Sequence, residues 1–279
     1  MPEGDTSFRA ARALHRALAG QTVTGFETVL PKLSRVEFDT PITGRTVIGV
    51  NATGKWVSMN FSGGLTLLTH MLMSGSWHIY RPGEAWQRPL IAMRIVVKTE
   101  KLWAVAFSVP IAEFHSADSL RRRQGFRSLG QDVLSADFNA ADAVQHLGVH
   151  EHLTVGEALL SQSIMAGLGN VFKSEVCFAC GVNPFRLVGE LTTGELSCLV
   201  ETARKFLLAN VAPTSGDQIT TYTGMRRTTG RANSEERLWV YGRRGEPCRT
   251  CGALIESRKQ GDDARTSFWC PQCQPMAKS

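Results

Sequence analysis

The period of the apolar positions changes twice along the chain. In residues 5–19, DTSFRAARALHRALA, Phe8, Ala11, Leu14 and Leu18 recur at helical spacing and Gly20 supplies a stop, which predicts one short amphipathic helix. From QTVTGFETVL to about Val109 the texture becomes short runs of Val, Ile, Thr, Phe and Trp, broken by NATGK, SGG and KTEK. That pattern predicts a β-meander or sandwich. After SLRRRQGFRSLGQDVLSADFNAADA the pattern turns helical. The shifts predict an α+β chain with an N-terminal helix and β-sandwich domain over 1–130, a linker over 131–149, a helical domain over 150–236 and a C-terminal module over 237–279.

Within the helical domain, LTVGEALLSQSIMAGLGNVFKSEVCFACG carries its own punctuation. Thr154 with Glu157 three residues on predicts a capping box that opens a helix across VGEALLSQ. Gly167 and Gly169 suit a tight turn, and Asn170 is positioned to N-cap a second helix that ends before Gly181. Two readings of this pair stay open, an ordinary helical hairpin packed on a core and a helix start that grips a phosphate with backbone N–H groups. Thr214 to Glu236 is polar, rich in Gly and Thr and without periodicity, and is expected to form a mobile loop.

Composition narrows the partner. The 279 residues are 43% hydrophobic, enough for two modest cores, and carry a formal net charge of +6. An excess of this sign favours an anionic partner, with nucleic acid foremost. A basic stretch leading into an apolar run is absent from the N-terminus, and so is a run of membrane-spanning length, which predicts a cytoplasmic protein with no membrane partner.

The seven cysteines suit a metal in a reducing compartment better than a disulfide framework. Cys248-x2-Cys251 is followed by an 18-residue spacer and Cys270-x2-Cys273. Two such knuckles predict one closed four-thiolate structural Zn2+ site on a β-hairpin that includes Arg265. An arginine there can reach a phosphate through two donors, or be merely solvated. Cys177-x2-Cys180 spells a third knuckle, but it lies within the predicted second helix without a partner pair and reads as core. His146, His150 and His152 lack a cysteine or helical frame and read as surface of the linker region.

Four features, in order, carry a resemblance that runs from end to end of the chain: PEG after the first methionine, GKW near residue 55, GLGN followed by SE, and VYGRRGEPCRTCG leading to FWCPQCQ. The chain resembles the formamidopyrimidine-DNA glycosylase and endonuclease VIII family of base-excision-repair enzymes. The resemblance implies a helix and β-sandwich domain, a second domain with a helix-two-turn-helix and a zinc finger, and damaged duplex DNA held across the cleft between them by a monomer associated with the nucleoid. It makes Pro2, exposed by removal of Met1, the nucleophile that forms a Schiff base at deoxyribose C1′, with Glu3 as its general acid and base. Lys55 is then the hairpin lysine on the phosphate near the lesion, Asn170 and Arg265 complete the grip, and Met73 is the wedge that fills the vacated base stack. Without the other motifs, Pro2 and Glu3 read as an ordinary helix start, and Met73 as a core gap-filler.

The 8-oxoguanine branch opens with a further glutamate where this chain has Thr6, and carries an Arg-x-Phe wedge that AFSVP lacks. PEGDT and AVAFSVP look more like endonuclease VIII, which implies oxidised pyrimidines as substrates and β- and δ-elimination at AP sites. An 8-oxoguanine/formamidopyrimidine glycosylase is the alternative within the family, and a non-enzymatic zinc-finger DNA-binding protein the alternative outside it. Neither a GxxxxGK[ST] loop nor carboxylates paired at metal spacing supports another zinc-ribbon enzyme.

Overall fold

The computed structural model describes residues 2–212, 226–231 and 233–276. Met1 and most of the expected loop 214–236, namely 214–225 and Ala232, lie outside the described residues. Two compact units divide the described chain, residues 2–128 and residues 129–276.

The first unit opens with α1 (Gly4–Leu18), β1 (Val23–Thr28), α2 (Pro31–Asp39), β2 (Val47–Thr53), β3 (Trp56–Phe61) and β4 (Leu65–His70). It continues with β5 (Ser76–Tyr80), β6 (Met93–Thr99), β7 (Trp103–Phe107), β8 (Ile111–Ser116), α3 (Ala117–Arg122) and α4 (Gln124–Arg127). The strands pair antiparallel into two four-stranded sheets, β1-β6-β7-β5 and β2-β3-β4-β8. Alternation decides which side chains share the core: Val57, Met59 and Phe61 of β3 join Ile95 and Val97 of β6 and Trp77 and Ile79 of β5. Ala10, Ala11, Leu14 and Leu18 of α1 close the same core. The apolar stripe read from sequence therefore anchors the chain's first helix on the sandwich.

The helix α2 interrupts the region read as all strand. Pro31 sits in its first turn, where its missing N–H costs nothing, and Leu33 is its buried anchor. Too few apolar positions repeat in PKLSRVEFD for the period to betray a helix.

The second unit contains β9 (Gln131–Asp132), α5 (Ala140–Gly148), α6 (Val155–Leu160), β10 (Met165–Ala166), α7 (Asn170–Ala179), α8 (Thr193–Val211), β11 (Glu256–Gln260) and β12 (Arg265–Trp269). Residues 131–149, expected as a linker, are folded within it. There β9 pairs in parallel with β10, Asn139 caps α5 through the N–H groups of Ala141 and Asp142, and Ala143 and Leu147 are buried. The Thr154–Glu157 pair opens α6 as expected, with the Glu157 carboxylate accepting from the Thr154 N–H at 3.2 Å.

Two expectations need correction. The N-cap of α7 is Gly169, in extended backbone, and Asn170 is the first helical residue. Its side-chain amide nitrogen donates instead to a carbonyl of β12, and its Oδ1, the atom a cap would use, has no hydrogen-bond partner among the described residues. Of the cysteines read as core, Cys177 is fully buried, and burial pushes its thiol up to about 12, whereas Cys180 is half-buried and disulfide-bonded to Cys198 of α8. The period of α7 puts Cys180 on its apolar stripe, but Cys180 is the C-cap, where the helix ends and the sulfur turns to α8. Among the described residues no helix is long and apolar enough to cross a membrane.

Candidate active site and nucleic-acid interface

In the first unit, Pro2 directly precedes the N-cap of α1, which is Glu3. The Glu3 carbonyl accepts from Thr6 N–H at 3.0 Å and Ser7 N–H at 3.1 Å, which fixes the first turn. Glu3 itself is fully buried, a costly place for a carboxylate unless it is held for chemistry or by partners. Its neighbour Asp5 is also buried and is paired with Arg9 at 3.2 Å. The positive end of the α1 dipole lies beside Pro2 and disfavours positive charge there.

Lys55 occupies the two-residue turn between β2 and β3, after Gly54. The Ser7 hydroxyl donates to the Lys55 carbonyl at 3.0 Å, so the turn is tied to the first turn of α1. The structure thus brings Lys55 and the Pro2–Glu3 end of α1 together.

A further group at this place was not singled out in the sequence. His70, at the head of the HMLMSG run, has its pKa lowered to about 4 by burial and by the nearby positive charges of Lys55 and Arg123. Its ring meets Trp56 edge-on at 4.7 Å, and the Arg123 guanidinium lies over the same indole at 4.2 Å. Glu113 holds Arg123 through bonds of 2.8 and 3.3 Å, and this pairing in turn lowers the Glu113 pKa. His70 Nδ1 accepts from Leu72 N–H at 3.1 Å, which leaves Nε2 as the neutral ring's donor. The only sequence signal was its nearness to the apolar loop that follows.

That loop, between β4 and β5, carries Leu72 and Met73, 43% and 59% exposed, so Met73 is no core gap-filler. Leu72 adopts a left-handed backbone, φ 44°, that a branched side chain rarely accepts. Gly75 closes the turn by donating to the Met71 carbonyl at 2.8 Å, and a Cβ at position 75 would stand 2.6 Å from that oxygen. Two apolar side chains are therefore held outward on a stiff turn.

In the second unit, Asn170 and the strand that begins with Arg265 are joined directly. Asn170 Nδ2 donates to the Thr266 carbonyl at 2.8 Å, leaving its second amide hydrogen for another acceptor. Arg265 is 42% exposed and has Asp263 at 3.8 Å. Glu175, one helical turn and a half further along α7, is fully buried and accepts from the backbone N–H groups of Trp239, Val240 and Tyr241 at 2.8, 2.9 and 2.8 Å, and from the Thr228 hydroxyl. Phe178 stacks on Trp239 at 5.5 Å. The carboxylate and the ring together moor the segment that leads to the cysteines.

The four sulfurs of Cys248, Cys251, Cys270 and Cys273 lie within 4.8 Å of one another, and no other metal-capable cluster, the three histidines included, occurs among the described residues. Cys248–Cys273 and Cys251–Cys270 are 3.9 and 3.4 Å apart, near the ~3.8 Å edge of a tetrahedron with Zn–S bonds of ~2.3 Å. Burial raises the Cys248 thiol, but N–H donors from Cys251 and Thr250 outweigh it and bring the pKa down to about 7. Burial and the neighbouring cysteines push Cys270 and Cys273 up, so the four thiols do not all ionise on their own and a metal would have to displace their protons. The donor set fits one structural zinc, with no position for a reacting water.

Comparisons with known proteins agree with this anatomy along the whole chain. Residues 1–110 match the formamidopyrimidine-DNA glycosylase N-terminal domain, 129–222 its H2TH domain, and 245–275 the zinc finger found in FPG and IleRS. Probable endonuclease 8 2 of Streptomyces coelicolor is 38% identical over 98% of this chain and 94% of its own. The DNA-(apurinic or apyrimidinic site) lyase Nei2 of Mycolicibacterium smegmatis is 34% identical over 98% and 99%. The crystal structure of Lactococcus lactis formamidopyrimidine-DNA glycosylase, non-covalently bound to DNA containing an AP site, superposes with a TM-score of 0.80 at 22% identity, over 98% of this chain and 99% of that one. With the N-terminal, H2TH and zinc-finger regions matched in order and a relative of 38% identity over nearly the whole length, the chain belongs to the formamidopyrimidine-DNA glycosylase and endonuclease 8 family.

Proposed function

We propose that the protein is a bifunctional DNA glycosylase and AP lyase of base excision repair, acting as a single chain on damaged duplex DNA and favouring oxidised pyrimidines. The observation that carries this reading is the buried Glu3 carboxyl directly after Pro2, at the positive end of α1 and beside the Lys55 turn. Removal of Met1 leaves Pro2 as a terminal secondary amine. A generic terminal amine, pKa ~7.8, is a free base roughly 300-fold more often than a lysine near pH 7.4, though proline's greater basicity narrows the gap.

The amine attacks C1′ as the glycosidic bond breaks and the base leaves with a proton. The sugar ring then opens, with the C1′–O4′ bond breaking and O4′ taking a proton, here from Glu3. The resulting iminium, with Glu3 moving the sugar's protons, drives β- and then δ-elimination of the flanking phosphates before water releases the enzyme. Lys55 and the neutral Nε2–H donor of His70 hold the phosphate beside the lesion, and Asn170 and Arg265 hold backbone phosphates on the second unit. Flipping a base costs a few kcal/mol, and Met73 fills the gap it leaves. The turn between β7 and β8 carries Ser108, Val109 and Pro110 where an Arg-x-Phe wedge would stand, which supports the pyrimidine branch.

Borohydride trapping of the Met1-free protein on duplexes with an AP site, thymine glycol, 5-hydroxyuracil or 8-oxoguanine opposite cytosine tests the reading. A covalent adduct at Pro2, formed best with the pyrimidine lesions, is expected. Preference for 8-oxoguanine moves the protein to the purine branch, and no adduct on any duplex, with zinc bound, overturns the enzymatic reading.

A further inference from the structure

A lysine is buried where the proposed chemistry has no use for it. Lys173 of α7 is fully buried, one turn after Asn170, and its ammonium donates to Ser267 Oγ of β12 at 2.6 Å. The Ser267 hydroxyl donates to Gln260 Oε1 of β11 at 2.6 Å. The Gln260 amide donates to Thr154 Oγ1 at 2.6 Å and to the Pro184 carbonyl at 2.8 Å. The Thr154 hydroxyl donates to the Glu157 carboxylate. Every bond runs in the same sense, from a buried cation through three neutral side chains to an anion, so each polarises the next. Gly156 makes room for it, since a Cβ there would stand 2.2 Å from Gln260 Oε1.

Ser267 and Gln260 belong to the zinc-finger hairpin, while Lys173, Thr154 and Glu157 belong to the helix pair. Gln260 is the cross-strand partner of Arg265, and Ser267 is two residues along β12, so all three side chains leave the same face of the hairpin. We infer that Lys173, Ser267 and Gln260 form a positioning relay that aims Arg265 at the backbone phosphate and holds it in register with Asn170, whose own bond to the Thr266 carbonyl runs alongside. The inference rests on the proposed DNA-binding function. Lys173 and Ser267 are fully buried, so the relay acts on the nucleic acid by setting the angle of Arg265.

The test uses the full-length zinc-loaded protein, Lys173→Met, Ser267→Ala and Gln260→Met, and a duplex with a tetrahydrofuran abasic analogue. Each variant is expected to keep one zinc, to bind the duplex about 10-fold more weakly, and to retain its single-turnover rate on an AP duplex at saturating enzyme, a KM effect without a kcat effect. In an Arg265→Ala background the same substitutions are expected to weaken binding by less than about 2-fold, because they act through that arginine. Variants that melt earlier yet bind as the wild type does, that lose zinc throughout, or that add fully to Arg265→Ala overturn the relay. A wild type that fails to bind the duplex overturns the functional reading and this inference with it; a wild type that binds beside variants that bind equally overturns the relay alone.

Discussion

Pro2 and Glu3 differ in what a substitution removes. Pro2→Gly keeps a terminal amine but loses the secondary one, so trapping on an AP duplex is expected to fall at least about 10-fold while affinity for the tetrahydrofuran duplex holds. Glu3→Gln keeps the shape of the buried side chain but not its proton traffic. Base release is expected to drop by about 10²-fold or more, with binding unchanged, in single-turnover assays on thymine glycol. His70 provides a pH signature. Its folded pKa lies below the ordinary value of 6.5, so as pH falls below ~6.5 the unfolded chain takes up the proton first and stability declines until the folded pKa near 4 is reached. The Tm of the wild type should therefore fall across this window, and His70→Asn should flatten that part of the curve. An unchanged slope would remove His70 from the acid response.

At the scale of elements, one carboxylate supports the mooring of the finger. Glu175→Ala leaves three backbone N–H groups without an acceptor in a buried place, at ~1–3 kcal/mol each before relaxation. A loss of several °C in Tm is expected, together with weaker zinc retention against a chelator. Cys248→Ser opens the four-thiolate site, and zinc stoichiometry and DNA affinity should fall together. Retention of both would refute the structural role of the metal. These elements were legible in unequal measure. The helix α1 and capped α6 were readable because their period and caps are local. The helix α2, with one buried anchor, and the ordered stretch 131–149 were not, because their partners lie far along the chain.

For the whole molecule, the net charge of +6 and the cations set out on two units predict a steep dependence of binding on salt. If Lys55 and Arg265 each hold one phosphate as proposed, the slope of log K against log salt should change by about 1 on Lys55→Ala or Arg265→Ala. A flat salt response in the wild type would argue against backbone binding altogether.

The four cysteines were legible from the chain alone, because a pair of knuckles carries its chemistry in residue type and spacing. Pro2, Glu3 and Lys55 were singled out only through the family resemblance, since a helix-start proline, its acid and a turn lysine read locally as ordinary structure. Asn170 was found, but not its bond to Thr266, and neither His70 nor the Lys173 relay was found at all. A histidine becomes a neutral donor only when burial and two cations surround it, and a buried lysine becomes intelligible only when a serine 94 positions away accepts from it. Sequence determined which groups are present. Burial, neighbouring charge and hydrogen-bond direction, which depend on segments distant in the chain, were decided by the tertiary structure.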